Sequence, residues 1–404
     1  MFAKLYLIFI FLFSSSTAYA TVGEQWIAGA LDVGSFPVEE NSKQYKKFQD
    51  IDVEWDNVPK IRNIKQLYAY MQKCTTRMMT TIPVVCIDGF NPKIGDSIGA
   101  TSVYWINWTV VYEKNDEKRF ICRMIYRSGA RIAHAYLTGD RSDLTKEELL
   151  TYKKAIQIVN KIKSMKVSKL EKLLHIHDNI TGICDYHTEK FPPYPTVPHF
   201  TTALGVFIDH KANCQGYSDS FYMLGTMAGF NVGYLHGVAG GGKHIWNTID
   251  IDGKTYCMDV TWDDKNIRLY DKRYSYYVYF IAPREIMEMT HSWDKNSEVK
   301  DIEDDIDDNY FYSTLEHYDT NRKFFGSEED SAEAGLTELA DGIANERWQL
   351  WYVMVPYDKY YCNVKNSIKF LNNELNKAKY KCSYYMNISC NPKRKYMFYT
   401  VFVR

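Results

Sequence analysis

The chain has 404 residues, 49 Lys and Arg against 50 Asp and Glu, a net charge of −1 and 15% aromatic residues, tyrosine (33) foremost. Interspersed charges of both signs exclude the basic surface of a nucleic-acid or anionic-membrane binder, and the aromatic content excludes a disordered composition. Nine cysteines are too few for a disulfide scaffold, none form a Cys-x-x-Cys pair, and the odd count leaves at least one thiol over if the others form bridges.

Lys4 precedes an apolar run from Leu5 to Phe13, and small polar residues lead to Ala18-Tyr19-Ala20, the form of a secretory signal cleaved after Ala20. The run is too short to span a bilayer and no later stretch of about 20 apolar residues follows, so a secreted or periplasmic chain without a membrane span is expected. The remaining chain, about 384 residues, exceeds what one hydrophobic core organises. Three parts are expected: an N-terminal α+β module over 21–142, a core over 143–295 and a C-terminal α/β module over 296–404.

Helical spacing of apolar residues runs from Asn63 to Met78, and Thr81 to Ile87 reads as a strand. Strands Trp105 to Tyr112 and Phe120 to Tyr126 form a hairpin around the charged tip Glu113 to Lys118. Thr145 and Glu148 have capping-box spacing ahead of a helix to Met165, and a second helix runs from Ser168 toward Tyr186. Pro192, Pro193, Pro195 and Pro198 then impose an extended stretch. Asn213, a favourable N-cap, opens a helix from Cys214 to Ala228, and Gly229 suits the left-handed position past its end. Asp252-Gly253 between β-rich runs, Lys243 to Ile251 and Lys254 to Trp262, is a strong hairpin signal. After the acidic stretch Asp301 to Asp308, which lacks the glycine and terminal glutamate of a calcium loop, come a helix (Ser331 to Asn345), a strand (Trp348 to Val355), a helix (Val364 to Lys377) and two strands (Lys381 to Ile388, Lys395 to Val403).

The chemistry concentrates in the middle. Cys214 stands in the first turn of its helix, where the dipole and unpaired N–H groups favour a thiolate. With Asp252-Gly253 as the turn, Ile251 opposes Lys254, Trp246 opposes Asp259 and His244 opposes Thr261, which puts His244 and Asp259 on one face as diagonal neighbours. A thiolate, an imidazole that holds it as an ion pair and later protonates a leaving amine, and a carboxylate that orients the imidazole are what acyl transfer through a thioester needs. The Cys214 N–H at the helix start is a natural oxyanion donor.

The segments Gly205 to Tyr217, with Asn213-Cys214-Gln215-Gly216-Tyr217 at their end, His244-Ile-Trp-Asn247, and Asp252 to Asp263 resemble the core of the bacterial transglutaminase-like superfamily. That family's motifs run Cys-x-Gly-Tyr, His-x-Trp-Asn and Asp-x-Thr-Trp in this order. The resemblance covers about the middle third of the chain and includes the helix around His177 to Tyr186. It implies an α+β, papain-like core, with the cysteine helix packed on an antiparallel sheet, and catalytic roles for Cys214, His244 and Asp259. Members are cross-linkers, peptidases, amidases or catalytically silent scaffolds, so the resemblance names a chemistry and not a substrate.

Trp246, Asn247 and Trp262 serve either as substrate walls or as packing, and Tyr217 is placed with them as a substrate-contact candidate. Cys257 is the rival thiol, mid-strand and without a helix dipole; His236, ahead of Gly240-Gly-Gly242, is the rival base. His175, His177 and His187 lack the His-x-x-x-His spacing of a helical zinc pair, and His177 with Asp178 is expected to buttress the core. The expectation is a secreted cysteine hydrolase or acyltransferase without cofactor or metal, acting on a protein or peptide, cell-wall peptide among the candidates. The alternative is a silent scaffold serving as a secreted protein- or glycan-binding module.

Overall fold

A computed structural model describes residues 53–90, 104–114, 116–187, 198–264, 267–269, 272–275, 277–293, 301–304, 322–326, 331–346, 350–390, 392 and 396–403. The expected signal segment Met1 to Ala20, the prolines 192–195 and the acidic residues 305–308 lie outside these. The architecture is mixed α+β, with several sheets and helices.

The N-terminal elements are β1 (Lys60–Ile61), α1 (Ile64–Thr76), β2 (Thr81–Cys86), β3 (Tyr104–Lys114) and β4 (Glu117–Tyr126), in a sheet ordered β1-β2-β4-β3 with β1 parallel to β2 and the other pairs antiparallel. Period-two alternation turns Ile82, Val84, Phe120 and Cys122 toward Leu67, Met71 and Cys74 of α1. The hairpin tip is shorter than the charge run suggested, because pairing continues to Lys114 and Glu117.

Helix α2 (Ser128–Thr138) is not signalled by sequence, since Arg127 supplies no side-chain cap. Helices α3 (Lys146–Ser164) and α4 (Lys169–Thr181) open on complete capping boxes: the Thr145 hydroxyl accepts from Glu148 N at 3.2 Å and Glu148 accepts from Thr145 N at 2.9 Å, with Ser168 and Glu171 doing the same. Each cap contributes about 1 kcal/mol. Helix α4 stops at Thr181, short of Tyr186, because β5 (Asp185–Tyr186) pairs instead in parallel with β6 (Lys211–Ala212).

Then follow α5 (Cys214–Ala228), β7 (Val232–Ala239), β8 (Gly242–Ile251), β9 (Lys254–Met258), α6 (Val260–Asp263), the ribbon β10 (Ile267–Leu269) and β11 (Lys272–Tyr274), α7 (Arg284–Met287) and β12 (His291–Ser292). The antiparallel sheet β12-β7-β8-β9 lies on one side of α5, and α2, α3 and α4 lie on the other. Almost all of α5 is buried, as a helix between two layers must be. Asp252 and Gly253 both take positive φ (51° and 86°), the turn that the register Ile251 opposite Lys254 demands.

The strand begun at Lys254 ends at Met258, opposite Asn247, and does not run to Trp262. Asp259 caps α6 instead, its Oδ1 accepting from the N–H groups of Thr261 and Trp262 at 3.1 Å, and this local bonding displaces the ladder.

The C-terminal elements are β13 (Arg322–Gly326), α8 (Ala332–Asn345), β14 (Leu350–Pro356), α9 (Val364–Lys377), β15 (Tyr384–Cys390) and β16 (Tyr396–Val403). Their sheet, β13-β14-β16-β15 with a parallel first pair, repeats the N-terminal order and pairing. Trp351, Val353, Tyr399 and Val401 face α8 and α9, while Tyr352, Met354, Phe398 and Phe402 join the central core. Cys362 and Cys390 form a disulfide; the other seven cysteines lie outside any disulfide. Among the described residues no helix is long and apolar enough to cross a membrane.

Candidate active site

Asn213 seats the candidate nucleophile, Cys214. Its Oδ1 accepts from Gln215 N (3.0 Å) and Gly216 N (3.3 Å), and its own N–H donates to Phe200 O (2.9 Å). A Cβ at Gly216 would lie 2.6 Å from Phe200 O and 2.8 Å from Ala212 Cβ, so glycine is what lets the 200–212 segment pass the helix tip this closely. Cys214 follows with 5% of its surface exposed and, as a first-turn residue, an N–H outside the helical ladder.

Helix α5 is locked to the sheet by two side chains. Ser218 Oγ donates to Ile245 O (3.2 Å), and Asn247 Nδ2 donates to Ser218 O (3.2 Å) and Gly233 O (3.0 Å). His244, on β8, therefore sits beside the helix tip. Its Nε2 is 2.7 Å from Asp259 Oδ2, and the Cys214 sulfur hydrogen-bonds the ring, which leaves Nδ1 as the nitrogen facing sulfur. Burial alone would lower the His244 pKa, but the charge and hydrogen bond of Asp259, aided by the sulfur, raise it to about 10. Burial opposes ionisation of Asp259, yet the charge and hydrogen bond of His244 and the hydrogen bond from His291 hold it well below the usual carboxylate range. The imidazolium form of His244 is thus the stable one at neutral pH.

Two groups that sequence reasoning passed over complete the site. His291 Nε2 lies 2.9 Å from the same Asp259 Oδ2 that His244 uses. Arg127, 1% exposed, donates from Nη1 to Thr201 O (3.1 Å) and Gln215 Oε1 (3.3 Å), and its charge acts on both Asp219 and Cys214. Asp219 in turn accepts from Gly129 N (2.9 Å), Ala203 N (2.8 Å) and the Tyr234 hydroxyl (3.2 Å). A buried cation therefore stands behind the helix tip. Both His291 and Arg127 lie outside the motif segments that carry the resemblance, which end at Asp263, so motif spacing gives neither a role.

The four substrate-contact candidates separate. Trp246 and Tyr217 are fully buried and Asn247 nearly so, which makes them internal packing and bracing groups. Tyr217 donates to Cys184 O (3.2 Å) and to Asp264, and Trp246 stacks at 5.9 Å on His244. Trp262 alone keeps partial exposure, its ring 6.2 Å from His244 and under the Gly240-Gly241 turn. Of the rivals, Cys257 is fully buried on β9 and His236 is on β7 opposite Ile245. His177 is buried in a separate cluster with Asp178 and Asp263, and His187 stacks on Phe200 at 3.8 Å, so the three histidines do not converge. His244, Asp259 and His291 bring ligand-type atoms within 4.8 Å of one another, and the grouping is a hydrogen-bonded one, with both histidine Nε2 atoms on Asp259 Oδ2.

No family model and no curated protein sequence matches this chain. Similar solved structures include a TGase (13% identity, TM-score 0.27, over 52% of this chain and 60% of that one). Others are a candidate cysteine protease from Cytophaga hutchinsonii (13%, 0.25, 49% and 69%) and a candidate protease from Parabacteroides distasonis (9%, 0.21, 80% and 66%). The chain spans 60% of the length of the TGase, and these likenesses are distant.

Proposed function

We propose that this chain is an exported cysteine enzyme of transglutaminase-like, papain-like core that cleaves or transfers amide bonds through a thioester on Cys214. The observation that carries the proposal is the line of contacts from the Cys214 sulfur through the His244 ring to Asp259 at 2.7 Å, with the sulfur in the first turn of a buried helix.

The chemistry follows from that order. The Cys214 thiolate attacks a carboxamide carbon, and the oxyanion that forms accepts the Cys214 N–H. His244 gives its Nδ1 proton to the leaving amine as the C–N bond breaks, leaving a thioester. Water, deprotonated by the now neutral His244, then attacks the thioester, releases a carboxylic acid and restores the ion pair; a primary amine in place of water gives an exchanged amide. Hydrolysis is the default, because an amine must outcompete solvent. Trp262 is the substrate-facing aromatic, and a protein or peptide is the substrate class. Export is supported by the signal-like N-terminus and by the Cys362–Cys390 disulfide, which needs an oxidising compartment.

The scaffold alternative draws its support from the 5% exposure of Cys214. The two separate in one experiment: incubation with a labelled primary amine and a glutamine-containing protein, beside a peptide-hydrolysis assay, for the parent and Cys214→Ala. Activity in the parent that vanishes in the variant supports the enzyme; turnover that survives in the variant removes it.

A further inference from the structure

His291 lies on β12, opposite Ala239 of β7, with 3% of its surface exposed. Trp262, Trp246 and Tyr279 surround its ring at centroid distances of 4.9, 5.0 and 5.0 Å, and His244 is 5.7 Å away. An imidazole enclosed in this way is costly to leave unpaired. Both of its nitrogens are engaged: Nε2 is 2.9 Å from Asp259 Oδ2, and Nδ1 is 2.9 Å from Thr290 Oγ1. Thr290 Oγ1 in turn is 2.8 Å from the Tyr279 hydroxyl.

The direction of these bonds is decided at one end. Ionised Asp259 can only accept, so His291 carries hydrogen on Nε2. In the neutral ring Nδ1 then accepts, the Thr290 hydroxyl donates to it, and the Tyr279 hydroxyl donates to Thr290. The chain runs one way, Tyr279 to Thr290 to His291 to Asp259, and each donor polarises the next. The charged and titratable groups around His291 are Asp259, His244 and Tyr279, and the remaining neighbours are indoles, the Thr290 hydroxyl and the Met287 backbone carbonyl; burial, with the His244 charge, outweighs the pull of Asp259 and of that carbonyl and holds its pKa below the ordinary histidine value, in keeping with a neutral ring.

We infer that His291 is a positioning residue of the proposed reaction, a neutral donor at the end of a one-way chain that holds Asp259 in place through the steps at which His244 has given up its proton. The inference rests on the acyl-transfer reading above. While His244 is an imidazolium, Asp259 has a cationic partner. Once the proton has gone to the leaving amine, a carboxylate with 1% exposure faces two neutral rings, and the N–H of His291 supplies half of the support on Oδ2. The same bond draws charge from Asp259, so His244 is held less tightly as a cation and releases its proton more readily.

The test follows Cys214 alkylation by iodoacetamide against pH, together with NMR titration of the His244 ring, in the parent, His291→Leu, His291→Gln and Thr290→Val. Loss of one neutral donor moves the alkaline limb up by about one pH unit. The expected result is that shift in His291→Leu with the acid limb unmoved, a smaller shift in the same direction in Thr290→Val, and a return toward the parent in His291→Gln, which retains an N–H. A purely structural role lowers thermal stability without moving the limb. If His291→Leu does not fold, Thr290→Val decides. A parent profile with no ion-pair plateau overturns the catalytic reading and this inference with it; a parent plateau that the variants leave in place overturns the inference alone.

Discussion

Two buried histidine–aspartate clusters stand one helical turn apart, and only one of them faces a sulfur. Asp259 begins α6 and Asp263 ends it, Asp263 N donating to Asp259 O at 3.1 Å. On the Asp263 side, His177 Nδ1 is 3.0 Å from Asp178 and its Nε2 is 3.3 Å from Asp263. Tyr277 donates to Asp178 and Tyr279 N to Asp263, both at 3.0 Å. Burial would lower the His177 pKa, but Asp178 and Asp263 raise it to about 9, whereas burial raises Asp263 to about 6. A raised histidine pKa therefore does not mark the proposed catalytic cluster. The difference is in the second ring nitrogen: His177 spends both on carboxylates, while His244 spends one and keeps the other for Cys214.

The sharpest break between the clusters is expected in activity. Cys214→Ala lowers turnover by about 10³-fold or more in a hydrolysis or amine-transfer assay. Asp259→Asn, which leaves the shape of the site but not the charge, costs roughly 10²–10⁴-fold in kcat, while His177→Leu stays within a few-fold per folded molecule. A comparable kcat loss in both variants would erase the distinction.

Stability is expected to order them the other way. His177→Leu leaves the buried Asp263 and the half-buried Asp178 without their cation, a loss of about 3–5 kcal/mol measured by urea unfolding. The pH dependence of unfolding sharpens this. His177 and His244 have folded pKa values above the unfolded histidine value, so what they contribute is present in full below about 6.5 and is lost as pH rises through about 9 and about 10 respectively. Asp259 has the opposite sign: its contribution is present above the ordinary carboxylate range and fades as pH falls well below it. Stability should therefore decline on the alkaline side, and less steeply in His177→Leu. The smallest expected effect is Tyr217→Phe, which removes the hydroxyl joining α5 to Cys184 O and Asp264, at about 1–3 kcal/mol in the same measurement.

What sequence makes legible in this molecule is what short-range physics writes. Asn213 and Gly229 bound α5, the Asp252-Gly253 turn sets the β8–β9 register, and the two capping boxes start α3 and α4, because each is a contact among residues a few positions apart. The pairing of His244 with Asp259 follows from that register even though Asp259 leaves the strand to cap α6. Arg127 and Gln215 meet across 88 residues and His291 and Asp259 across 32, with no periodicity to announce either contact. Trp246 and Tyr217 are motif positions whose burial depends on layers packed from both sides, and motif spacing carries no information about that. The matching strand order of the N- and C-terminal sheets is not legible in the sequence, since β13 pairs in parallel with a strand beyond α8.

The most direct measurement is the site of fast alkylation in the folded chain, read by mass spectrometry after one equivalent of iodoacetamide at neutral pH. Cys74, Cys86 and Cys122 are buried with thiols pushed up by burial, and Cys382 is more open but raised by the same cause. The account predicts a single label on Cys214, activated by its contact with the His244 ring, ahead of the better exposed Cys382. Label on Cys382 with Cys214 inert would contradict it.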